Sequence, residues 1–352
     1  MTGRFKDRER KMSPIRAKRA GAMLAGVLLI LALAQTTAGA EVQEVSISKG
    51  YGILYLPLIV MEDQKLLEKQ AEKAGLGSVK VKWILLDGGN VINDAMMAGT
   101  LSFAGTGAPG FVTLWSKARG IPSVEVIGIS ALSSTSLYLN SNNPDIKSLA
   151  DFKGNEKIAL PGIKTSLSAV VLQMMAARQF GRENFAKLDP FTVSLPHPEG
   201  LIALTSGKTE VTAHFTSPPF SYLELNDPKI HRVANSVDVI GNVTLDVVYA
   251  PKKFVDANPK TSEAMLAALD EANAFIANNR DEAAEIFVRS SKIKVSKEEV
   301  LKILADPDTQ FSTTPNKVMN FVDFMRLAGT IKVAPAKWSE MFIPKLGGRD
   351  GS

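Results

Sequence analysis

The sequence predicts an α/β protein of two similar lobes, each a mostly parallel sheet flanked by helices. Three observations carry this. From Glu41 the apolar pattern switches between strand and helix periods in the order βαβαβ, which is how a parallel or mostly parallel sheet is written. Near Ser133 the same rhythm restarts. Ala95–Phe103 (AMMAGTLSF) and Ala203–Val211 (ALTSGKTEV) then share a helix end, a glycine stop and a strand, at an offset of 108 residues. A solenoid would repeat every 20–50 or so. The 352 residues suit about two domains.

The charge is unevenly placed. The chain carries 41 Lys/Arg and 36 Asp/Glu, but residues 1–40 hold eight of the bases and two of the acids, leaving 33 bases against 34 acids. The basic character belongs to the N-terminal segment, so nucleic acid is not expected as a partner. That segment reads as a secretory signal peptide over residues 1–40. A basic stretch ends at Arg19, an apolar run of 15 residues spans Ala20–Ala34, and Ala38-Gly39-Ala40 supplies the cleavage site. The run is shorter than the roughly 18–20 residues that cross a bilayer. Met12 is an alternative start, and no Arg-Arg pair marks the twin-arginine route. With no cysteine there is no disulfide, no thiolate metal site and no lipid-modified N-terminal cysteine. The histidines His197, His214 and His231 are far apart in sequence, so neither metal nor cofactor is expected.

Val45 and Ile47 alternate with serines as a strand. Lys49-Gly50-Tyr51-Gly52 breaks it, and Pro57 opens a helix carrying Leu58, Ile59, Met61, Leu66 and Leu67. Ligands of open α/β sheets bind past the carboxyl ends of strands, so Lys49–Leu54 is a candidate cleft wall. Val79–Leu86 is the next strand. Asp87-Gly88-Gly89-Asn90 turns the chain, with Asn90 as the expected helix cap and Gly99 as the stop. Leu101–Ala104 is a short strand, Gly105–Pro109 a loop, Phe111–Arg119 a helix and Val124–Ile129 a strand.

In the second block Ser148–Gly154 is a short capped helix and Lys157–Leu160 a strand. A loop through Lys164, Thr165 and Ser166 enters a helix running to Phe180. Phe191–Leu195, Glu199–Ser206 and Glu210–His214 are strand, helix and strand. Leu245–Ala250 is apolar, and beyond it the chain is almost wholly helical. Ser296 and Glu299 form a capping box there. Gly347–Ser352 is expected to fray.

Four stretches together resemble the periplasmic substrate-binding proteins of ABC importers, in the nitrate/sulfonate/bicarbonate group also called NMT1/THI5-like. They are Gly50–Lys69, Trp83–Gly107, Ser148–Gly162 and Ala203–Pro218, in the family's order. Ser102 and Glu210 stand where such proteins commonly carry Asp after the glycine stop. The resemblance implies a type II periplasmic-binding-protein fold. Lobe 1 would be 41–132 plus 247–352, lobe 2 would be 133–246, and the crossings would lie near Ala131–Leu137 and Val243–Ala250. It implies a monomeric, periplasmic protein that closes on a small-molecule ligand and docks on an ABC permease with its ATPase. Part of the family synthesises the thiamine pyrimidine with a cysteine-rich motif; this chain has no cysteine, so no enzyme activity is expected.

On this reading the site residues lie in loops after strands. Tyr51 offers a ring and a hydroxyl. Gly105, Thr106 and Gly107 open a helix, where free N–H groups favour an anion. Ser133 and Ser134, with Thr135, give hydroxyls at the first crossing. Lys164, Thr165 and Ser166 repeat the helix-start arrangement with a cation. His214 and Thr216, flanking Phe215, follow a strand. Asp246 sits inside an apolar strand, where an acid needs a partner. Two helix starts facing one cleft favour a small organic anion, sulfonate-like or carboxylate. The alternatives are a thiamine-precursor pyrimidine or other heterocycle, and a periplasmic ligand sensor in place of a transport component.

Overall fold

The computed structural model describes residues 1–3 and 40–352. The leader expected over 1–40, apart from its ends, lies outside them. Residues 41–352 form one compact body. It begins with β1 (Glu44–Lys49), whose Val45 and Ile47 are fully buried. The glycine loop leads into α1 (Leu56–Gln64), with Pro57 in its first turn and six consecutive residues buried. That helix is wedged between the sheet and later helices, so it is apolar nearly all round. Next come α2 (Leu66–Lys73), β2 (Lys80–Leu85), α3 (Gly89–Met97), β3 (Phe103–Gly107), α4 (Ala108–Ala118) and β4 (Val126–Ser134).

The second half adds β5 (Tyr138–Ser141), β6 (Lys157–Leu160), α5 (Leu167–Phe180), β7 (Thr192–Ser194), α6 (His197–Ser206) and β8 (Val211–Thr216). α7 (Phe220–Glu224), β9 (His231–Asn235) and α8 (Val237–Ile240) follow. The chain returns through β10 (Asp246–Pro251) into α9 (Lys252–Ala257), α10 (Pro259–Asn278), α11 (Arg280–Ser290), α12 (Lys297–Ala305), β11 (Gln310–Phe311) and α13 (Met319–Leu327). α10 packs against both α1 and α2, closing the outer face of the first sheet.

Two sheets result. One runs β11-β4-β10-β3-β1-β2 and the other β7-β6-β8-β5-β9. The pairing is more mixed than a mostly parallel sheet. β1 is parallel to β2 and β3, and β6 to β7 and β8. β10 runs antiparallel to β3 and β4, and β5 antiparallel to β8 and β9. The cause is the crossings. β5 and β10 enter their sheets from the other sheet and not through a βα unit of their own, and they lie opposite in direction to the βα-linked strands.

Other expectations shift by a few residues. The strand read at Leu101–Ala104 is Phe103–Gly107, which places Gly105 and Thr106 opposite Val248 and Val247 in the ladder. Asn90 is not a cap; Gly88 precedes the helix. In the C-terminal stretch expected to be almost wholly helical, Trp338–Glu340 is a single 3-10 turn. The last residues are tied down: Ser352 accepts from the Val318 amide and donates its own amide to Pro315, at 2.9 Å each. The capping boxes at Ser148 and Ser296 are both formed. Ser296→Ala removes the acceptor for the Glu299 amide. It should cost about 1 kcal/mol and lower the thermal midpoint by roughly 2–4 °C; an unchanged midpoint in circular dichroism would show that this cap contributes nothing.

Candidate functional site

The carboxyl ends of β1, β2 and β3 and the start of β10 face the N-terminal ends of α5 and α6 across a narrow cleft. The elements touch directly. The Ile53 amide donates to the Pro218 carbonyl at 2.9 Å, the Thr165 hydroxyl to Asn90 Oδ1 at 2.9 Å, and the His197 amide to Asp87 Oδ2 at 3.3 Å. Gly107 meets Leu167 so closely that a Cβ there would sit 2.8 Å from the Leu167 Cβ. What remains is a partly open cavity of about 40 Å³.

Its polar lining is Tyr51, Tyr55, Asp87, Thr106, Ser166, Ser168, His197, Ser217 and Asp246, with Leu54, Ile92, Leu137, Pro161 and Leu167 as apolar walls. No lysine or arginine lines it among the described residues. Asp246 is only 1% exposed, and its Oδ2 and the Thr106 hydroxyl have no hydrogen-bond partner. Buried polar atoms are nearly always paired, so two orphans on one cavity make it the candidate site.

The electrostatics follow from burial. Burial raises the Asp246 carboxyl to about 7; the Tyr55 hydroxyl beside it opposes the rise and Asp87 adds to it. Burial also raises Asp87, against the amides of His197 and Gly88 that donate to it. Tyr55 is pushed well above its ordinary value by burial and by the two acids, and Tyr51 is raised by burial, Asp87 and Glu199. Burial, with His214 alongside, holds the His197 imidazole well below its ordinary value. The cavity is therefore acceptor-rich and negative in character, with a neutral imidazole.

Of the residues read from sequence, Tyr51, Thr106, Gly107, Ser166 and Asp246 line the cavity. The others lie elsewhere. Gly105 is covered by Leu58 and Tyr55. Ser133 donates to the Leu54 carbonyl at 2.7 Å, and Ser134 sits in the ladder opposite Gln310. Lys164 is exposed, and Thr165 bonds Asn90 at the rim. His214 and Thr216 form a layer behind His197. The helix-start argument for an anion also fails locally. The Ala108 amide donates to Leu245 at 2.7 Å, Pro109 has no N–H, and Asp87 already occupies the start of α6. Ser166 caps α5 through the Ala169 amide. Tyr55, Asp87, Ser168, His197 and Ser217 are the polar lining residues the sequence reading missed. Asp87 follows a strand and His197 opens a helix after one, so the positional rule applied to Tyr51 would have found both.

Two mixed α/β lobes shut on a polar cavity define a type II periplasmic-binding-protein fold. The chain belongs to the NMT1/THI5-like family, whose sequence profile matches residues 72–283. No curated protein matches it. Similar solved structures include the alkanesulfonate-binding protein SsuA from Xanthomonas axonopodis pv. citri bound to MOPS, at 15% identity and TM-score 0.65, covering 84% of this chain and 96% of that one. The aliphatic sulphonate binding protein SsuA from Escherichia coli is 16% identical at TM-score 0.62, over 87% and 99%. The nitrate-binding protein NrtA from Synechocystis PCC 6803 is 16% identical at TM-score 0.64, over 85% and 84%. At such identities the likeness is one of fold.

Two outcomes follow from this geometry. Gly107→Ala places a methyl group against Leu167 and should hold the lobes apart, read as a larger radius of gyration in small-angle scattering than the unsubstituted protein gives in the same buffer. For Asp246, the folded-state value of about 7 lies above the ordinary carboxylate value. The folded form is therefore favoured below about pH 4 and loses that advantage as pH rises through about 7. Asp246→Asn should raise the thermal midpoint by at least about 2–4 °C near pH 8 and leave it nearly unchanged near pH 4. An equal effect at both would refute the buried-charge account.

Proposed function

We propose that the protein is a periplasmic solute-binding component of an ABC importer, and that it captures a small neutral or cationic nitrogen compound. An aminopyrimidine-like heterocycle fits best. The observation that carries this is the pair of carboxylates, Asp87 and Asp246, on a cavity lined by no lysine or arginine. An N–H-rich edge or a cation would satisfy Asp246 Oδ2 and the cost of its burial together, whereas an anion would face two acids and no counter-charge. Sulfonate- and nitrate-binding neighbours support the binding role, but the small organic anion expected from the sequence is not the ligand this lining favours. The fold and the cavity support capture between lobes and hand-over to a permease, with binding as the activity in place of catalysis. Thr106 and Ser168 add hydroxyls, and Tyr51 and Tyr55 give flat walls on which a ring can rest.

A thermal-shift panel separates the ligand classes. It would hold aminopyrimidines and thiamine precursors, guanidinium and amine compounds, alkanesulfonates, taurine and nitrate. A ligand at about 100 times its dissociation constant stabilises the folded state by about 2.7 kcal/mol. Shifts with the nitrogen bases and none with sulfonates or nitrate are expected; the reverse would overturn the ligand class. Asp246→Asn should weaken the hit by about 30-fold or more. For a cation of constant charge, such as a guanidinium, affinity should rise about tenfold from near pH 6 to near pH 8 as Asp246 loses its proton, checked by isothermal titration calorimetry.

A further inference from the structure

Behind the cavity wall lies a buried chain of titratable groups, of which only His197 lines the cavity. Glu224 at the end of α7 and His214 in β8 are both wholly inaccessible to solvent. His214 Nδ1 lies 2.5 Å from Glu224 Oε1, and the Asn140 side-chain amide donates to Glu224 Oε2 at 2.8 Å. On its other side His214 Nε2 is 3.1 Å from His197 Nδ1. His197 is the first residue of α6 and lines the cavity. Its ring stacks on Phe220 at 5.5 Å. Gly200, one turn on, lets the two imidazoles meet, because a Cβ there would lie 2.6 Å from His214 Nε2.

The proton positions follow from the partners. A carboxylate only accepts, so the proton shared with Glu224 sits on His214 Nδ1, and a His214 ring holding that one proton turns a bare Nε2 toward His197. His197 Nδ1 has two close neighbours, His214 Nε2 and the Thr216 hydroxyl oxygen at 2.9 Å. The Thr216 hydroxyl has its own acceptor in the Ser217 carbonyl at 3.4 Å. Facing a bare His214 Nε2 and the Thr216 hydroxyl oxygen, one N–H on His197 Nδ1 makes an ordinary three-centre bond. His197 therefore carries its proton on Nδ1, and its Nε2 is left as a bare lone pair.

We propose that Glu224 and His214 are positioning residues that fix His197 in the tautomer whose cavity-side nitrogen accepts a hydrogen bond, making the site selective for a ligand that donates N–H there. The consequence for the ligand rests on the function proposed above; the tautomer itself does not. Replacing Glu224 by Gln should invert the chain. Asn140 can only donate to the group it meets, so the Gln carbonyl oxygen turns toward Asn140 and its NH₂ toward His214 Nδ1. His214 then carries its proton on Nε2 and donates to His197 Nδ1. His197 in turn holds its proton on Nε2, and the cavity nitrogen changes from acceptor to donor.

The test is the long-range proton–nitrogen correlation spectrum of the full chain labelled with ¹⁵N-histidine, taken without ligand. The chain has only three histidines, so each ring pattern is separable, and His231, whose Nε2 lies 2.7 Å from the Ile146 carbonyl, serves as a reference with Nε2 protonated. The expected result is His197 neutral with a proton on Nδ1 and a bare Nε2, inverted in E224Q. A protonated Nε2 on His197 in the unsubstituted protein would overturn the proposal, as would an E224Q spectrum with His197 unchanged. T216V keeps the His214 acceptor, so it should retain the Nδ1–H form even if E224Q does not fold. Loss of that form in T216V would assign the tautomer to Thr216 and refute the relay. A missed ligand class in the thermal-shift panel leaves these spectra unaffected, so the two readings fail separately.

Discussion

The buried carboxylate of Asp246 is the constraint on which the site turns. It heads β10, the strand that returns the chain from the second sheet to the first, and it lies opposite Gly107 and Ser133 in the ladder. Nothing in the strand pattern calls for an acid there, since its neighbours Val247, Val248, Tyr249 and Ala250 are all fully buried. Burial disfavours the charged form, and one oxygen has no partner. On the function proposed above, a ligand that donates to this oxygen would complete it, and differential affinity for the closed form would come from that contact.

The second acid is used differently. Asp87 accepts the amide of His197 across the cleft, so a side chain of the first lobe caps a helix of the second. Closure thus makes a hydrogen bond of its own, beside the Ile53–Pro218 and Thr165–Asn90 contacts. Tight approach is possible because glycine stands at the contact with Leu167. The same carboxylate that joins the lobes also occupies the start of α6 and puts a negative group on the cavity. Lobe contact and ligand charge are therefore linked through one residue.

The elements were readable wherever local chemistry decides. Val45 and Ile47 gave their strand by alternation, Pro57 and Ser296 gave helix starts, and Gly207 gave a stop in the left-handed region. Asp246 was singled out because an acid in an apolar strand has no local justification. Reading failed where a small-residue stretch was taken for a loop. Gly105-Thr106-Gly107 lacks the branched side chains of a strand, yet it pairs because β10 lies beside it, a neighbour about 140 residues away that no local signal announces. The Ser133 hydroxyl likewise found an internal acceptor that only packing supplies.

By itself the sequence determined the α/β class, the family and the order of the helices and strands apart from β5, β9 and β11, because these rest on periodicity, turn chemistry and ordered motifs. It also placed five of the cavity residues, since strand ends and helix starts are local features. The tertiary structure alone decided the charge of the cleft. Asp87, Tyr55 and His197 come from separate elements, and their common field exists only once the lobes face each other. It also set His214 behind His197 and Glu224 behind His214. The acceptors available to a nitrogen depend on through-space distances of about 3 Å, and sequence spacing does not encode those.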